Sequence, residues 1–487
     1  MIRNLICILA LSISLFAVGC GDDDNGDENG GTGGTNGSAG KDEGKSGDGG
    51  SAGKDDAGSG GSDIEPPDCD DEEIIDEDIS QDTTWECPVY LLQGKIYVVD
   101  DAVLTIEPGV QVLGDTSGTE EAALIVTRGA RLEAIGTADD PIVFSSGNPE
   151  GARSTGDWAG VALLGSASIN SGSCIEDGDT STADTCEQPG FIEGRLEGID
   201  VADDRGRFGG SDDESDCGSL KYARIEFAGA ELSPDNELNG LTVAGCGDQT
   251  ELSHIQVHRG KDDGIEFFGG NAGMDHVVIS GASDDGLDWD LGWQGEVQFL
   301  VIHQFAGTGD NAIEADNLGA DEDAQPRSNP TISNVTMIGT PDTRGMLLRE
   351  GTRGRLRNFI VYGFGSEAVD LAAAEVDLNS EWPGELSIEN SFFFDNGDYA
   401  DESGEEDDDG GFSEEEAIEA SARSNTIGID PEFGSLSETS PDYIPANEEL
   451  SDQAVPGFGD KTATYAGAFE PNSSDDWTEG WTAFPEN

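Results

Sequence analysis

Basic residues are scarce in this chain. Lys and Arg total 23 against 103 Asp and Glu over 487 residues, for a formal net charge of −80. That imbalance excludes nucleic acid and anionic membrane surface as partners of the folded body, because both carry the same sign of charge. It fits metal cations, cationic partners or a salt-adapted acidic surface. Aromatic residues make up only 7% and histidines number 4, whereas glycine reaches 70. Such a composition suits a turn-rich all-β protein joined to low-complexity linkers. Beyond the first 18 residues no apolar run is long enough to span a bilayer as a helix.

The first residues read as a targeting segment. Arg3 supplies a positive start, Leu5 to Val18 is apolar, and Phe16-Ala17-Val18-Gly19-Cys20 ends it. This resembles a bacterial lipoprotein signal peptide spanning 1–19, in which small residues precede a cysteine that is lipidated and becomes the new N-terminus. Ala17 stands where Leu is commoner, and ordinary secretory cleavage is the competing reading. The resemblance implies anchoring of Cys20 in a lipid bilayer. Gly21, rather than Asp, implies the outer membrane, with the protein facing the periplasm or the cell surface. Residues 20–66 are Gly, Ser, Asp, Lys and Asn with almost nothing apolar. Such a segment cannot bury a core and is expected to be a disordered tether, with a mean reach of about 40 Å as a flexible coil.

Cys7 leaves with the signal and Cys20 takes lipid. Cys69, Cys87, Cys174, Cys186, Cys217 and Cys246 remain, at spacings unlike zinc motifs, so disulfides of an exported protein are expected. Six cysteines allow fifteen connectivities, and pairing between neighbours is the expectation. Cys174 and Cys186 would close a loop inside an insertion at about 171–219. Cys217 and Cys246 precede two successive copies of one strand type. Stacked strands lie about 4.8 Å apart and a disulfide spans Cα atoms about 4.4–6.8 Å apart, so a staple between turns is geometrically natural.

That strand type recurs as LKYARIEFAG from Leu220, LSHIQVHRG from Leu252, MDHVVISGA from Met274, VQFLVIHQFA from Val297, ISNVTMIG from Ile332, LRNFIVYGF from Leu356 and IENSFFFDN from Ile388. The starts lie 32, 22, 23, 35, 24 and 32 residues apart, the larger gaps being one turn plus an inserted loop. Its third position is Asn334, Asn358 and Asn390 in the last copies. Asn tolerates bends, and stacked amides can form a ladder. A second strand type alternates with the first: GLTV from Gly240, GIEF from Gly264, GLDW from Gly286 and AIEA from Ala312. Two strand faces per turn of 22 to 26 residues predict an all-β fold, a single-stranded right-handed parallel β-helix over 67–395. Residues 396–487 are expected to form an acidic loop and then a cap over the open end.

The second strand type carries the acids. KDDGIEFF from Lys261, SDDGLDWD from Ser283 and GDNAIEAD from Gly309 start 22 and 26 residues apart. Alternation points Ile265, Leu287 and Ile313 inward and the acids outward. Four columns result: Asp262, Asp284 and Asp310; Asp263, Asp285 and Asn311; Glu266, Asp288 and Glu314; Asp290 and Asp316. Unit charges 4 Å apart repel by about 4 kcal/mol at an effective dielectric of 20. Carboxylates relieve this by binding protons, splaying into water or binding cations. Ca²⁺ is the candidate ion and solvated acids are the alternative. An enzymatic reading takes Asp284, Asp285 and Asp288 with Arg344 or Arg349 as a glycan-cleaving site. Against it, the Gly-His-Gly and Arg-Ile-Lys signatures of β-helix glycosidases are absent, and an acidic face repels anionic glycans unless calcium bridges them. His254, His258, His276 and His303 show no metal-ligand spacing. Trp289 reads as core, Trp293 as a corner residue able to stack on a sugar, and Trp477 and Trp481 as packing in the cap.

The runs IEFAGAELSPDNELNGLTVAGCG, GKDDGIEFFGG, SDDGLDWDLGWQGEVQFLV and the closing YAGAFE…DWTEGWTAF resemble a family of exported β-helix lipoproteins from Bacteroidetes and delta-type bacteria. The likeness extends from about Trp85 to the C-terminus and implies fold and location rather than an activity. The expected role is binding or structural, toward a glycan, a surface protein or matrix. A polysaccharide lyase or hydrolase is the alternative.

Overall fold

The computed structural model describes residues 69, 71–174, 192–200, 202–233, 236–372, 386–397, 399, 411–452 and 454–487. The chain divides into two units, Met1–Ile64 and Glu65–Asn487. The expected signal peptide, Cys20 and the tether lie outside the described residues, as do Cys186 and its expected bond to Cys174.

Each repeat is too short to bury its apolar face alone, so successive copies stack. The first strand type forms one long parallel ladder: Gly218–Glu226, Glu251–His258, Met274–Ser280, Glu296–His303, Thr331–Ile338 and Gly354–Tyr362. The second forms a parallel sheet of eight strands that includes Leu241–Ala244, Ile265–Phe268, Leu287–Asp290, Asn311–Ala315 and Arg344–Leu348. The two sheets enclose one continuous apolar core, the expected parallel β-helix. Ile265, Leu287 and Ile313 stack in it, fully buried.

Each long strand is bent at the third position of the sequence repeat. Tyr222, His254, His276, Phe299, Asn334, Asn358 and Asn390 all have φ between 47° and 60°. Asn and His visit this left-handed region more readily than Tyr and Phe do, so neighbouring turns must hold Tyr222 and Phe299 there. The bend splits the strand. In the N-terminal turns its two halves are separate strands, Arg131–Ile135 and Ile142–Ser146, which pair with successive parts of Gly218–Glu226. A turn therefore has three straight segments, not the two read from the sequence.

Asn334 and Asn358 do not bond to each other as the expected ladder; Asn334 accepts from Gln298 of the neighbouring turn at 2.9 Å, and both asparagines bond to the C-terminal segment. Asn334 donates to Tyr465 O at 2.7 Å. Asn358 accepts from Val455 N at 3.1 Å and donates to its carbonyl. Gln298 and Gln256 bind the backbone of Asp460 and Ala483 in the same way. Residues 454–487 thus run back along the side of the solenoid as a strap, where the sequence suggested a cap over its end. The physical reason is the row of outward amides on the long sheet, which satisfies an irregular backbone. The end is closed by the short helix Glu414–Ile418, whose Ile418 enters the core; the sequence suggested a solvated loop there. Trp481 packs in the strap, fully buried, and Trp477 is half-buried beside it.

Among the described residues, two disulfides join neighbouring cysteines: Cys69 to Cys87, and Cys217 to Cys246 across a Cα separation of 5.9 Å. The second closes 29 residues of chain between adjacent turns. Cys217→Ala with Cys246→Ala is expected to lower unfolding free energy by about 3–4 kcal/mol, the loop-closure entropy returned to the unfolded chain. Chemical denaturation of the double variant beside the oxidised protein measures this, and a loss under about 1 kcal/mol contradicts it.

Candidate functional site

The acids sit on the second strand type because its repeat is DDG-aliphatic-acid. Glycine is required by close approach: a Cβ on Gly264 would lie 2.3 Å from Ile279 Cγ2 and 2.6 Å from Gly286 O. Register then aligns the acids as the repeat implies. Glu266 pairs with Asp288, and Asp288 with Glu314.

The columns do not all face water, however. Asp284 and Asp310 are exposed and form a rim. Asp263, Asp285 and Asn311 are buried and build a ladder instead. Asp285 N donates to Asp263 Oδ1 at 2.9 Å, and Asn311 N donates to Asp285 Oδ1 at 2.6 Å. The Asp263 and Asp285 side chains each satisfy a backbone amide of the next turn, and Asn311 ends the ladder by bonding to Glu314 and Arg344, so this column is first of all structural. Glu266, Asp288, Asp290 and Glu314 are half-buried, and Asp316 is buried.

What covers them is a wall the repeat does not predict. Leu196 and Glu197 from the insertion, with Glu237, Leu238 and Asn239, turn the acidic face into a groove of about 240 Å³. Asp262, Glu266, Asp288, Asp290, Glu314 and Asp316 line it, and Arg349 closes one end. Asn239 was missed in the sequence, yet it precedes Gly240 as Asp263 precedes Gly264, and extending the column by one turn would have found it. Glu197 and Glu237 carry no such signal, because they come from inserted segments.

Burial, and then mutual repulsion, raises the proton affinity of these acids. Asp262 is pushed up to about 6 by burial and by Asp284. Burial pushes Asp290 to about 7 and Asp285, beside Asp263, to about 10. Asp263, Glu266 and Asp288 lie well above the usual carboxylate range for the same causes. Glu314, Asp316 and Asp284 are raised by burial as well.

The donor set fits a hard cation. Carboxylate oxygens of Asp263, Glu266 and Asp288 lie within 4.8 Å of one another, as do those of Asp262, Asp263 and Asp284. Oxygens sharing one Ca²⁺ at 2.3–2.6 Å lie at most about 5 Å apart. Two polar atoms here have no protein partner: Asp288 Oδ1, and Oδ1 of Asn239, a residue only 4% exposed. An unpaired buried oxygen is costly unless something binds it. Asn239 Nδ2 donates to Glu266 Oε2, which orients that carboxylate.

The arginines are differently placed from the catalytic reading. Arg349, not Arg344, lines the groove, and it is paired with Glu314 and with Asp316 at 3.0 Å. Arg344 lies outside the lining, bonded to Glu367 at 3.0 Å, Asp370 at 3.3 Å and Asn311 at 3.0 Å. The set Asp284, Asp285, Asp288 and Arg344 is therefore not one constellation. Its members are a rim acid, a structural acid, a groove acid and a cation held elsewhere. Trp293 is fully buried against Phe267, with ring centroids 4.3 Å apart, and offers no face to a sugar.

No curated protein and no solved structure matches the chain. Residues 77–482 match the family model described as a pectate-lyase-like β-helix domain. That span takes in all but the first strand of the two sheets, the groove and most of the strap, and the chain belongs to the pectate-lyase-like β-helix family.

Proposed function

We propose that this protein is a glycan-binding β-helix whose acidic groove takes up Ca²⁺ and presents it to an acidic polysaccharide. The observation that carries the reading is the groove itself: in-register carboxylates held out of bulk water, with Asp288 Oδ1 and Asn239 Oδ1 left without protein partners. Asp263, Glu266, Asp288 and Asn239 would hold the ion. When bound, it supplies positive charge to a surface that otherwise repels anionic sugars. Family membership agrees with a glycan ligand. Display on an outer membrane or cell surface through a Cys20 lipid anchor is part of the same reading.

Binding is favoured over cleavage. A lyase needs a base free to take a proton from the sugar ring. Arg344 and Arg349 each engage two carboxylates and are not free to act as that base. The test is size exclusion with light scattering of protein mixed with acidic polysaccharides, a polyuronate among them, in Ca²⁺ and in chelator. Intact chains co-eluting only with Ca²⁺ are expected. Shortened chains would replace binding with catalysis, and co-elution indifferent to chelator would remove calcium from the account. Asp288→Asn is expected to weaken Ca²⁺ binding on the order of 10–100-fold by calorimetry, since it takes one charge from the ligand set.

A further inference from the structure

The other sheet carries a second cluster of different chemistry. At its bend the residues that take left-handed backbone stack turn on turn: Tyr222, His254, His276 and Phe299. The His254 and His276 rings are parallel to within 11°, with centroids 4.5 Å apart. Tyr222 lies 4.3 Å from the first and Phe299 4.7 Å from the second. Trp481 and Trp477 of the strap meet the histidines edge-on. The stack is thus contacted on three sides by rings, while both histidines stay partly exposed.

Beside it opens a cavity of about 590 Å³, lined by Ser253, Asp275 and His276. Asp248, Glu251, Glu296 and Asp460 also line it, against Lys221 alone of opposite sign, so the cavity attracts cations. Register places Asp275 beside Ser253. Nδ1 of His276 meets Asp275 Oδ1, and Nδ1 of His254 lies 2.7 Å from Ser253 Oγ. A ring nitrogen of each histidine and a carboxylate oxygen of Asp275 all lie within 4.8 Å of one another. Both histidines are partly exposed rather than sealed in the core, and Asp275 is 50% exposed at its side chain.

We infer that His254, Asp275 and His276 form a site for a borderline divalent transition ion such as Zn²⁺. Two imidazoles and one carboxylate are the donors such ions prefer, whereas Ca²⁺ takes oxygen alone. A tetrahedral zinc with bonds of about 2.0–2.1 Å sets its ligands about 3.4 Å apart. Because imidazole donates in the plane of its ring, binding requires both histidines to leave their parallel stacking by side-chain rotation so that their nitrogens converge, with Asp275 turning inward. The fourth position faces the cavity and is open to water or a ligand oxygen. The spacing of 22 residues between the histidines hides the site in the sequence, because only stacking of adjacent turns brings them together.

The test is calorimetric titration of the intact protein with Zn²⁺ under saturating Ca²⁺, which occupies the acidic groove. One equivalent of Zn²⁺ is expected, with a change in near-UV circular dichroism as the rings tilt. Co²⁺ in its place should give visible absorption bands of tetrahedral intensity. His276→Gln and His254→Gln should each weaken binding by about 100-fold or more, and Asp275→Asn by about tenfold, as expected for loss of one of three ligands. Asp275 touches no ring face of the stack, so its variant tests the site even where a histidine variant fails to fold. Asp288→Asn should leave the Zn²⁺ titration unchanged. No uptake by the wild type, or uptake untouched by all three substitutions at the cluster, overturns the assignment.

Discussion

Trp293→Ala lowers the unfolding free energy by about 3–5 kcal/mol and leaves glycan binding per folded molecule unaltered. Trp293 is fully buried and stacks on Phe267 at an interplanar angle of 15°. It also meets Trp289, with centroids 5.6 Å apart. Its Nε1 donates to Ala272 O at 2.9 Å, so truncation leaves a cavity and an unpaired carbonyl. Because each turn of a solenoid is held mainly by its neighbours, the loss should be local before it is global. Amide exchange should quicken first in the strands Ile265–Phe268 and Leu287–Asp290. Denaturant melts with hydrogen exchange check both parts. A cost under about 1 kcal/mol accompanied by weakened sugar binding would return Trp293 to a surface role.

Without cations, the acidic groove withdraws stability as pH rises from 5 to 8, and Ca²⁺ reverses that loss; His254, His258 and His303, which burial lowers to about 4, act in the opposite direction over the same range. The sign follows from the direction of the shifts. Asp262 and Asp290 titrate near 3.8 in the unfolded chain but at about 6 and about 7 in the fold. Between those limits the folded state binds more protons at these two groups than the unfolded state does, so the stability they contribute falls with rising pH. It falls through Asp262 up to about pH 6 and through Asp290 up to about pH 7. These two groups alone give a loss on the order of 4 kcal/mol between pH 5 and 8. Ca²⁺ offsets the exposed repulsion, so the melting temperature gained on adding it should be larger at pH 8 than at pH 5. Scanning calorimetry at both pH values, in chelator and in Ca²⁺, measures the four points. A Ca²⁺ effect equal at both pH values, or an Asp262→Asn, Asp290→Asn double variant with the wild type's pH dependence, would contradict the groove as a cation site.

Much of this was legible in the repeat. The DDG pattern gave strand position, register and inward or outward facing for Ile265, Glu266, Leu287, Asp288, Ile313 and Glu314, because period-2 alternation in a stacked strand leaves no other arrangement. The placement of Cys217 and Cys246 before adjacent strand copies gave their bond. The roles of the two acids in each DDG were not legible. Asp284 and Asp285 are neighbours of identical chemistry, yet one faces water and the other caps the next turn's amide. That difference depends on a neighbouring backbone group, which the local sequence does not contain. Trp293 was misread for a similar reason: it follows a glycine at a corner, and only its stacking on Phe267 turns it inward.

The sequence by itself determined the solenoid, its two strand types and the columns of acids, since each is a property of one repeat and its neighbour in the stack. Only the tertiary structure decided that the columns become a groove, because its wall comes from Leu196, Glu197 and Glu237 in inserted segments with no period of their own. It also decided that the strap lies along the long sheet and that His254 meets His276 beside an acidic cavity. These arrangements rest on contacts between residues far apart in the chain, and such contacts are set by how three-dimensional surfaces fit, not by any spacing along the sequence.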